Sequence, residues 1–264
     1  MITTQDVIYE VADGIATITL NRPDSLNTMG GSLVADTALA LKEAAEDDSV
    51  RAVILTGAGR GFCAGGDLRG MSSDGVPPPL EDSIARLRDH MRTSEQLHEM
   101  PKVTIAAING ACAGAGLAWA CACDIRYAAE SAKFNTAFMT AGLSGDFGGT
   151  WTLPRIVGPA KARELYLLAE KFDAAEALSI GLVSAVLPDG DLLPFVRERA
   201  ARIAGFAPLT LRAIKANLND SERLGFSEQL DHEADRHVRM SRTEDMREAA
   251  RAFLEKRPPV FKGR

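Results

Sequence analysis

The chain has 264 residues, 46% of them hydrophobic, enough for a sizeable core in one large domain or a domain plus an appendage. Its formal net charge is −6 and its basic residues are not massed in a patch, which argues against nucleic acid or an acidic membrane surface as the main partner. A small anionic ligand held by a few local Arg or Lys side chains stays compatible with that charge. The N-terminal MITTQDVIYEV has no basic segment leading into an apolar run, so no signal peptide is expected.

In chain order, IATITL (15–20) is the first predicted strand, rich in β-branched residues. SLVADTALALKEAAEDD carries apolar residues at helical spacing and ends acidic. VRAVILTG (50–57) is a second strand, running into the glycine-rich GAGRGFCAGGDL (57–68). GMSSDGVPPPL (70–80) is the best loop candidate, and the stretch after it is helical in pattern until Pro101 breaks it. VTIAAING (103–110) is a third strand. The longer apolar stretch that it opens, VTIAAINGACAGAGLAWACACDI, is long enough to raise the question of a membrane span. Its glycines, alanines and Asn109, and its ending in Asp124, fit a buried strand, turn and helix better.

SAKFNTAF (131–138) is another short strand, and DAAEALSIG is a helix capped by Asp173 and stopped by Gly181. Residues 196–257 form two or three amphipathic helices before RPPVFKGR. Strands alternating with helices, in continuous apolar runs, predict an α/β fold with parallel pairing and right-handed crossovers.

The four cysteines, Cys63, Cys112, Cys121 and Cys123, sit in apolar, small-residue surroundings and read as buried hydrophobes in a reducing compartment. His90, His98, His232 and His237 lie far from them, so no metal site is expected. Together these features predict a cytoplasmic protein. Of the two glycine-rich turns, 57–68 and 109–120, the first lacks the Gly-x-Gly-x-x-Gly spacing of a dinucleotide loop and no Gly-Lys-Ser/Thr follows it. Each is placed to open a helix, however, and peptide N–H groups from two helix starts make an oxyanion site without a charged side chain.

One carboxylate remains. Asp146, in FMTAGLSGDFGGTWTLPRIVG, precedes an apolar helical pattern. It reads as a helix cap accepting backbone N–H bonds, or as a proton carrier whose pKa the apolar Phe138, Phe147 and Trp151 would raise. Cap and base are not exclusive. Asp67 and Asp124 are expected to bond to backbone. Trp119 and Trp151 are expected in the core or in a pocket wall.

These stretches together resemble the enoyl-CoA hydratase/isomerase, or crotonase, superfamily. The resemblance runs through NRPDSLNTM, VILTGAGRGFCAGGDL, PKVTIAAINGACAGAGLAWACACDIRYAAESAKF, GLSGDFGGTWTLPRIVGPAKARELYLLAEKFDAAEALSIGLVSAVLP and MREAARAFLEKRPPVFKGR. It implies a spiral of strand-strand-helix units over 1–195 holding CoA and the active site. It also implies a C-terminal helical region, 196–264, that builds a trimer or a dimer of trimers.

By the same resemblance, the backbone N–H groups of Gly66 and Ala115 would stabilise a thioester enolate. The backbone around Ala64, Gly65, Asp67 and Leu68 would meet the CoA adenine. Arg22 and the C-terminal Phe261 and Lys262, from the same or a neighbouring subunit, would lie near the CoA phosphates and ribose. The two positions where hydratases carry glutamates fall here on Ala118 and Phe138. Neither side chain moves a proton.

The DxGGTW pattern at Asp146 resembles the branch of ring-epoxide and ring-oxepin acyl-CoA isomerases, which implies that Asp146 shuttles the proton. Phe138, Met139, Leu143 and Trp151 would form an apolar acyl pocket. The expected activity is therefore isomerisation of an unsaturated acyl-CoA, with CoA as part of the substrate and no separate cofactor. The alternatives are an enoyl-CoA hydratase using Asp146 and an ordered water, and a non-catalytic acyl-CoA-binding protein.

Overall fold

The computed structural model describes residues 2–67 and 78–264. Leu68 and the expected loop up to residue 77 lie outside the described residues. The chain opens with an antiparallel meander of β1 (Ile2–Thr3), β2 (Val7–Ala12) and β3 (Ile15–Leu20). Asp13 and Gly14, at φ 51° and 75°, connect Ala12 to its partner Ile15 in a two-residue turn whose positive φ values match the twist of the strands.

From β3 onward, pairing within this sheet is parallel. The sheet runs β1-β2-β3-β4-β6-β8-β11, with β4 (Ala52–Gly57), β6 (Val103–Ile108), β8 (Ile125–Ala129) and β11 (Val186–Leu187). A second, four-stranded sheet orders β10 (Phe172–Asp173), β9 (Lys133–Asn135), β7 (Ala111–Ala113) and β5 (Gly61–Cys63). Each of the first two glycine-rich turns thus adds a short strand to this smaller sheet, β5 beside β7. That yields the strand-strand-helix spiral of an α/β fold.

Alternation along β4 splits the interior in two. Val53 and Leu55 join the large core, with α1 (Leu33–Glu46) and the helices around the site. Ala52 and Ile54 face the opposite side, where α9 (Leu192–Ala204) covers the sheet with Leu192, Val196 and Ala200. That helical i, i+4, i+8 row meets Ile15, Ile105 and Ala107. The division expected at 195/196 falls inside this helix, which belongs to the core.

The remaining helices are α2 (Leu80–His90), α3 (Arg92–Glu99), α4 (Ala115–Ala122), α5 (Phe138–Ala141), α6 (Gly149–Val157), α7 (Pro159–Leu168), α8 (Ala174–Ser179), α10 (Pro208–Ser221), α11 (Phe226–Met240) and α12 (Glu244–Glu255). The C-terminal stretch carries more helices than the expected two or three. Pro208 at a first helical position, and Thr243, whose side chain accepts from Met246 N–H at 3.1 Å, start new helices there. Among the described residues no helix is long and apolar enough to cross a membrane.

Candidate active site

Two asparagines, Asn27 and the half-buried Asn109, fasten the first glycine turn. Asn27 is fully buried and donates from Nδ2 to the carbonyls of Ala58 (3.0 Å) and Gly61 (2.7 Å), while its Oδ1 accepts from Arg22 N–H at 2.7 Å. Asn109 donates to Gly59 O at 3.0 Å and accepts from Gly57 N–H at 3.1 Å, tying the first turn to the second. Met29 N–H donates to Gly65 O at 2.7 Å and Ala64 N–H to Leu26 O at 3.0 Å. The NRPDSLNTM segment thereby becomes the frame of the CAGGD turn.

The two turns touch. Gly65, at φ 91°, needs the freedom of glycine, and a methyl there would fall 2.9 Å from Ala113 O and 3.5 Å from Ala115 N. Ala115 is the first residue of α4, whose opening N–H groups have no partner within the helix. Among the described residues no backbone bond takes up the N–H of Gly66 or of Ala115. A methyl on Gly66 would meet nothing within 4 Å, so the space before it is open. Behind, α4 packs so closely on β5 that a methyl on Gly116 would fall 2.1 Å from Cys63 O.

Asp146 sits on the loop between α5 and α6, where Gly145, Phe147 and Gly148 all have positive φ (102°, 49° and 77°). For the bulky Phe147 that conformation is strained, and burial of its ring at 90° to Trp119, centroids 5.9 Å apart, holds it. The helix start settles one choice left open by the sequence. The carbonyl of Asp146 accepts from Gly149 N–H at 3.2 Å, while Gly148 occupies the cap position of α6 and no side chain caps it. The carboxyl is therefore not a helix cap. Its Oδ1 is buried and makes no hydrogen bond among the described residues. Desolvation alone raises its pKa to about 6.

Phe138 is buried with its ring tip 3.8 Å from where a methyl on Gly114 would lie, whereas Met139 and Leu143 are exposed. Trp119 belongs to the core, donating from Nε1 to Thr93 Oγ1 at 2.8 Å. Trp151 is exposed and placed elsewhere: its ring meets His98 edge-on at 5.4 Å, Arg155 lies 3.8 Å over it, and it lines a surface cavity with Asn219 and Arg236. Arg22 turns inward, donating from Nη1 to Thr28 O at 2.8 Å and standing 3.8 Å from both Asp67 and Asp6 carboxylates.

Phe261 and Lys262 belong to a tail folded onto α12, where Asp245 accepts from the N–H groups of Lys262 (2.7 Å) and Gly263 (2.8 Å). Lys262 lines a cavity with Arg51, Lys102 and Arg212. Asp124 accepts from Thr104 N–H at 2.7 Å, as expected of it, and also pairs with buried Lys215 at 2.8 Å. All four cysteines are buried free thiols. No group of three or more metal-ligating side chains occurs among the described residues. Lys215 and Tyr166, which packs on Phe138 and against Gly149, had no sequence signal of their own.

The sequence profile described as enoyl-CoA hydratase/isomerase matches residues 10–264. The chain belongs to the enoyl-CoA hydratase/isomerase family. It is 40% identical over 260 residues to the 1,2-epoxyphenylacetyl-CoA isomerase of Escherichia coli (strain K12), covering 98% of each chain. It is 39% identical over 256 residues to a probable enoyl-CoA hydratase of Rhodobacter capsulatus, covering 97% of each. Among solved structures it superposes on an enoyl-CoA hydratase from Bacillus anthracis with TM-score 0.93 and 32% identity, covering 98% of this chain and 100% of that one. The crotonase fold and an acyl-CoA-processing activity of the hydratase/isomerase type follow from membership in this family.

Proposed function

We propose that this family member isomerises an unsaturated acyl-CoA, with Asp146 as the acid/base. The observation that carries the reading is the Asp146 carboxyl itself: partly buried, not used as a cap, with Oδ1 unbonded among the described residues and pKa raised to about 6. A general base poised near the working pH is what proton transfer between carbons needs. Asp146 takes a proton from the carbon beside the thioester, the electron pair moves onto the thioester oxygen, and the same proton returns at the γ-carbon. The N–H groups of Gly66 and Ala115 hold the oxyanion, and loss of one such donor typically slows a reaction about 10²–10³-fold. One carboxylate suffices for this cycle.

The acyl group lies along Phe138, Met139 and Leu143, and the CoA backbone contacts fall at Ala64 to Asp67. No further cofactor enters the cycle. The likeness to an isomerase named for an epoxidised aromatic acyl-CoA supports this choice. The likeness to proteins named as hydratases favours a second reading, addition of water to an enoyl-CoA with Asp146 orienting it. Exposed Phe226, Phe253 and Leu254 on the C-terminal helices support assembly into a trimer, which sedimentation or light scattering would measure.

Incubation with a saturated acyl-CoA in deuterated water tests the central step. Wild type should incorporate α-deuterium, and Asp146→Asn should lose roughly 10²–10⁴-fold of that rate. Exchange unchanged by the substitution would remove Asp146 from the chemistry. Hydration of crotonyl-CoA at ordinary enzyme rates, again dependent on Asp146, would favour the second reading.

A further inference from the structure

Tyr166, on α7, stands where the parts of the site that flank Asp146 meet. Its ring stacks on Phe138, centroids 6.3 Å apart and planes 15° from parallel. Its hydroxyl lies against the first residue of α6: a methyl on Gly149 would fall 2.5 Å from Tyr166 Oη and 3.2 Å from Ala118 Cβ. Gly149 is also the residue whose N–H donates to the Asp146 carbonyl. One side chain therefore spans from α5 to the α4–α6 contact, past the loop that carries Asp146. A side chain at 149 would therefore collide with the Tyr166 hydroxyl. Burial, and after it the charges of Cys121 and Asp146, push the pKa of the phenol up.

We propose that Tyr166 is a positioning residue that keeps solvent away from Asp146, its ring and hydroxyl closing the gap between Phe138, Ala118 and Gly149 so that the carboxyl keeps an apolar setting. The proposal rests on the reading of Asp146 as the proton carrier, but it concerns the setting of that carboxyl and is measurable without turnover.

The other groups around the loop do not supply the effect. On α4 the Cys121 thiol is held up at about 11 by burial and stays neutral. On α6 Arg155 bonds the Trp151 carbonyl at 2.9 Å and lies over its ring. On α3 His98 faces Trp151 and Glu222. Desolvation is the one cause acting on Asp146, and a large aromatic ring on α7 is an effective way to maintain it.

The experiment titrates the Asp146 carboxyl by carbon NMR in protein labelled at aspartate, assigned by comparison with Asp146→Asn, and sets it beside the pH profile of α-deuterium exchange. In Tyr166→Val the carboxyl should titrate about one pH unit or more below wild type as water enters, and the acid limb of exchange should follow it. Tyr166→Phe, which keeps the ring, should stay within a few tenths of a unit of wild type. Tyr166→Leu is expected to move in the same direction as the valine variant and covers the case in which that variant fails to fold. KM for the acyl-CoA should change less than about threefold.

A folded valine or leucine variant whose Asp146 titrates as in wild type overturns the proposal. If the titration moves but exchange never depended on Asp146, the shielding stands and the reading of Asp146 as base falls. If exchange depends on Asp146 and its titration does not move, the reverse holds.

Discussion

A carboxyl whose pKa is raised by burial is harder to ionise folded than unfolded, and Asp146 carries that penalty at neutral pH. Below the ordinary carboxylate pKa of about 4 both states hold the proton and the group is neutral toward stability. Between about pH 4 and the folded value of about 6 the unfolded chain ionises while the folded carboxyl keeps its proton, so a penalty grows, and above about 6 it is fully present. Asp146→Asn is therefore expected to unfold at a higher temperature than wild type at pH 8. After allowance for partial exposure the gain is on the order of 1 kcal/mol, and it should vanish below about pH 4. Calorimetry at the two pH values checks this. Activity should run the other way, rising with pH as the base ionises, with a half-point near 6 in wild type. The sequence showed that Asp146 stood before a helix and left cap and base both open. The left-handed turn through Phe147 and Gly148 is what lifted the carboxyl off the helix start, and its φ values depend on the burial of Phe147 against Trp119.

Among the elements, α4 and its approach to β5 govern whether the two glycine turns stay in contact. Gly116→Ala would ordinarily favour a helix, yet its methyl would meet Cys63 O at 2.1 Å. We expect the substitution to cost roughly 1–3 kcal/mol in denaturant unfolding and to slow α-deuterium exchange more than it raises KM, because the N–H groups of Gly66 and Ala115 would separate. At α8, Asp173 accepts from Glu176 N–H at 3.0 Å, as the sequence predicts of a cap, and Asp173→Ala should cost about 1 kcal/mol with exchange untouched. Strands 15–20 and 103–108 and the helix ended by Gly181 were readable because each is a run of local propensity closed by a turn residue. The β2–β3 hairpin had its signal in Asp13-Gly14. Of the two- and three-residue strands of the smaller sheet, Lys133–Asn135 was legible within SAKFNTAF, while the others had no signal, since their pairing comes from chain distant in sequence.

For the molecule as a whole, the join between the spiral and the C-terminal helices rests on a buried ion pair. Lys215 on α10 reaches Asp124 at 2.8 Å and donates to the carbonyl of Lys102 at 2.9 Å. Removing one charge of such a pair leaves the other unpaired, and Lys215→Ala is expected to cost about 3–5 kcal/mol. Hydrogen exchange should show protection lost first in α10 and its neighbours; protection unchanged there would mean that the apolar contacts of α10 alone hold it.

By itself the sequence determined the α/β class, the family motifs, the two glycine turns and the aspartate that follows them, because each is written in local propensity or in contiguous residues. Contacts between distant segments decided the rest. They brought Gly65 against Ala115, placed α9 on the back of the sheet, turned Trp151 toward His98, and set Tyr166 against Phe138 and Gly149. Close packing decides which side chains share a space, and no run of neighbouring residues encodes it.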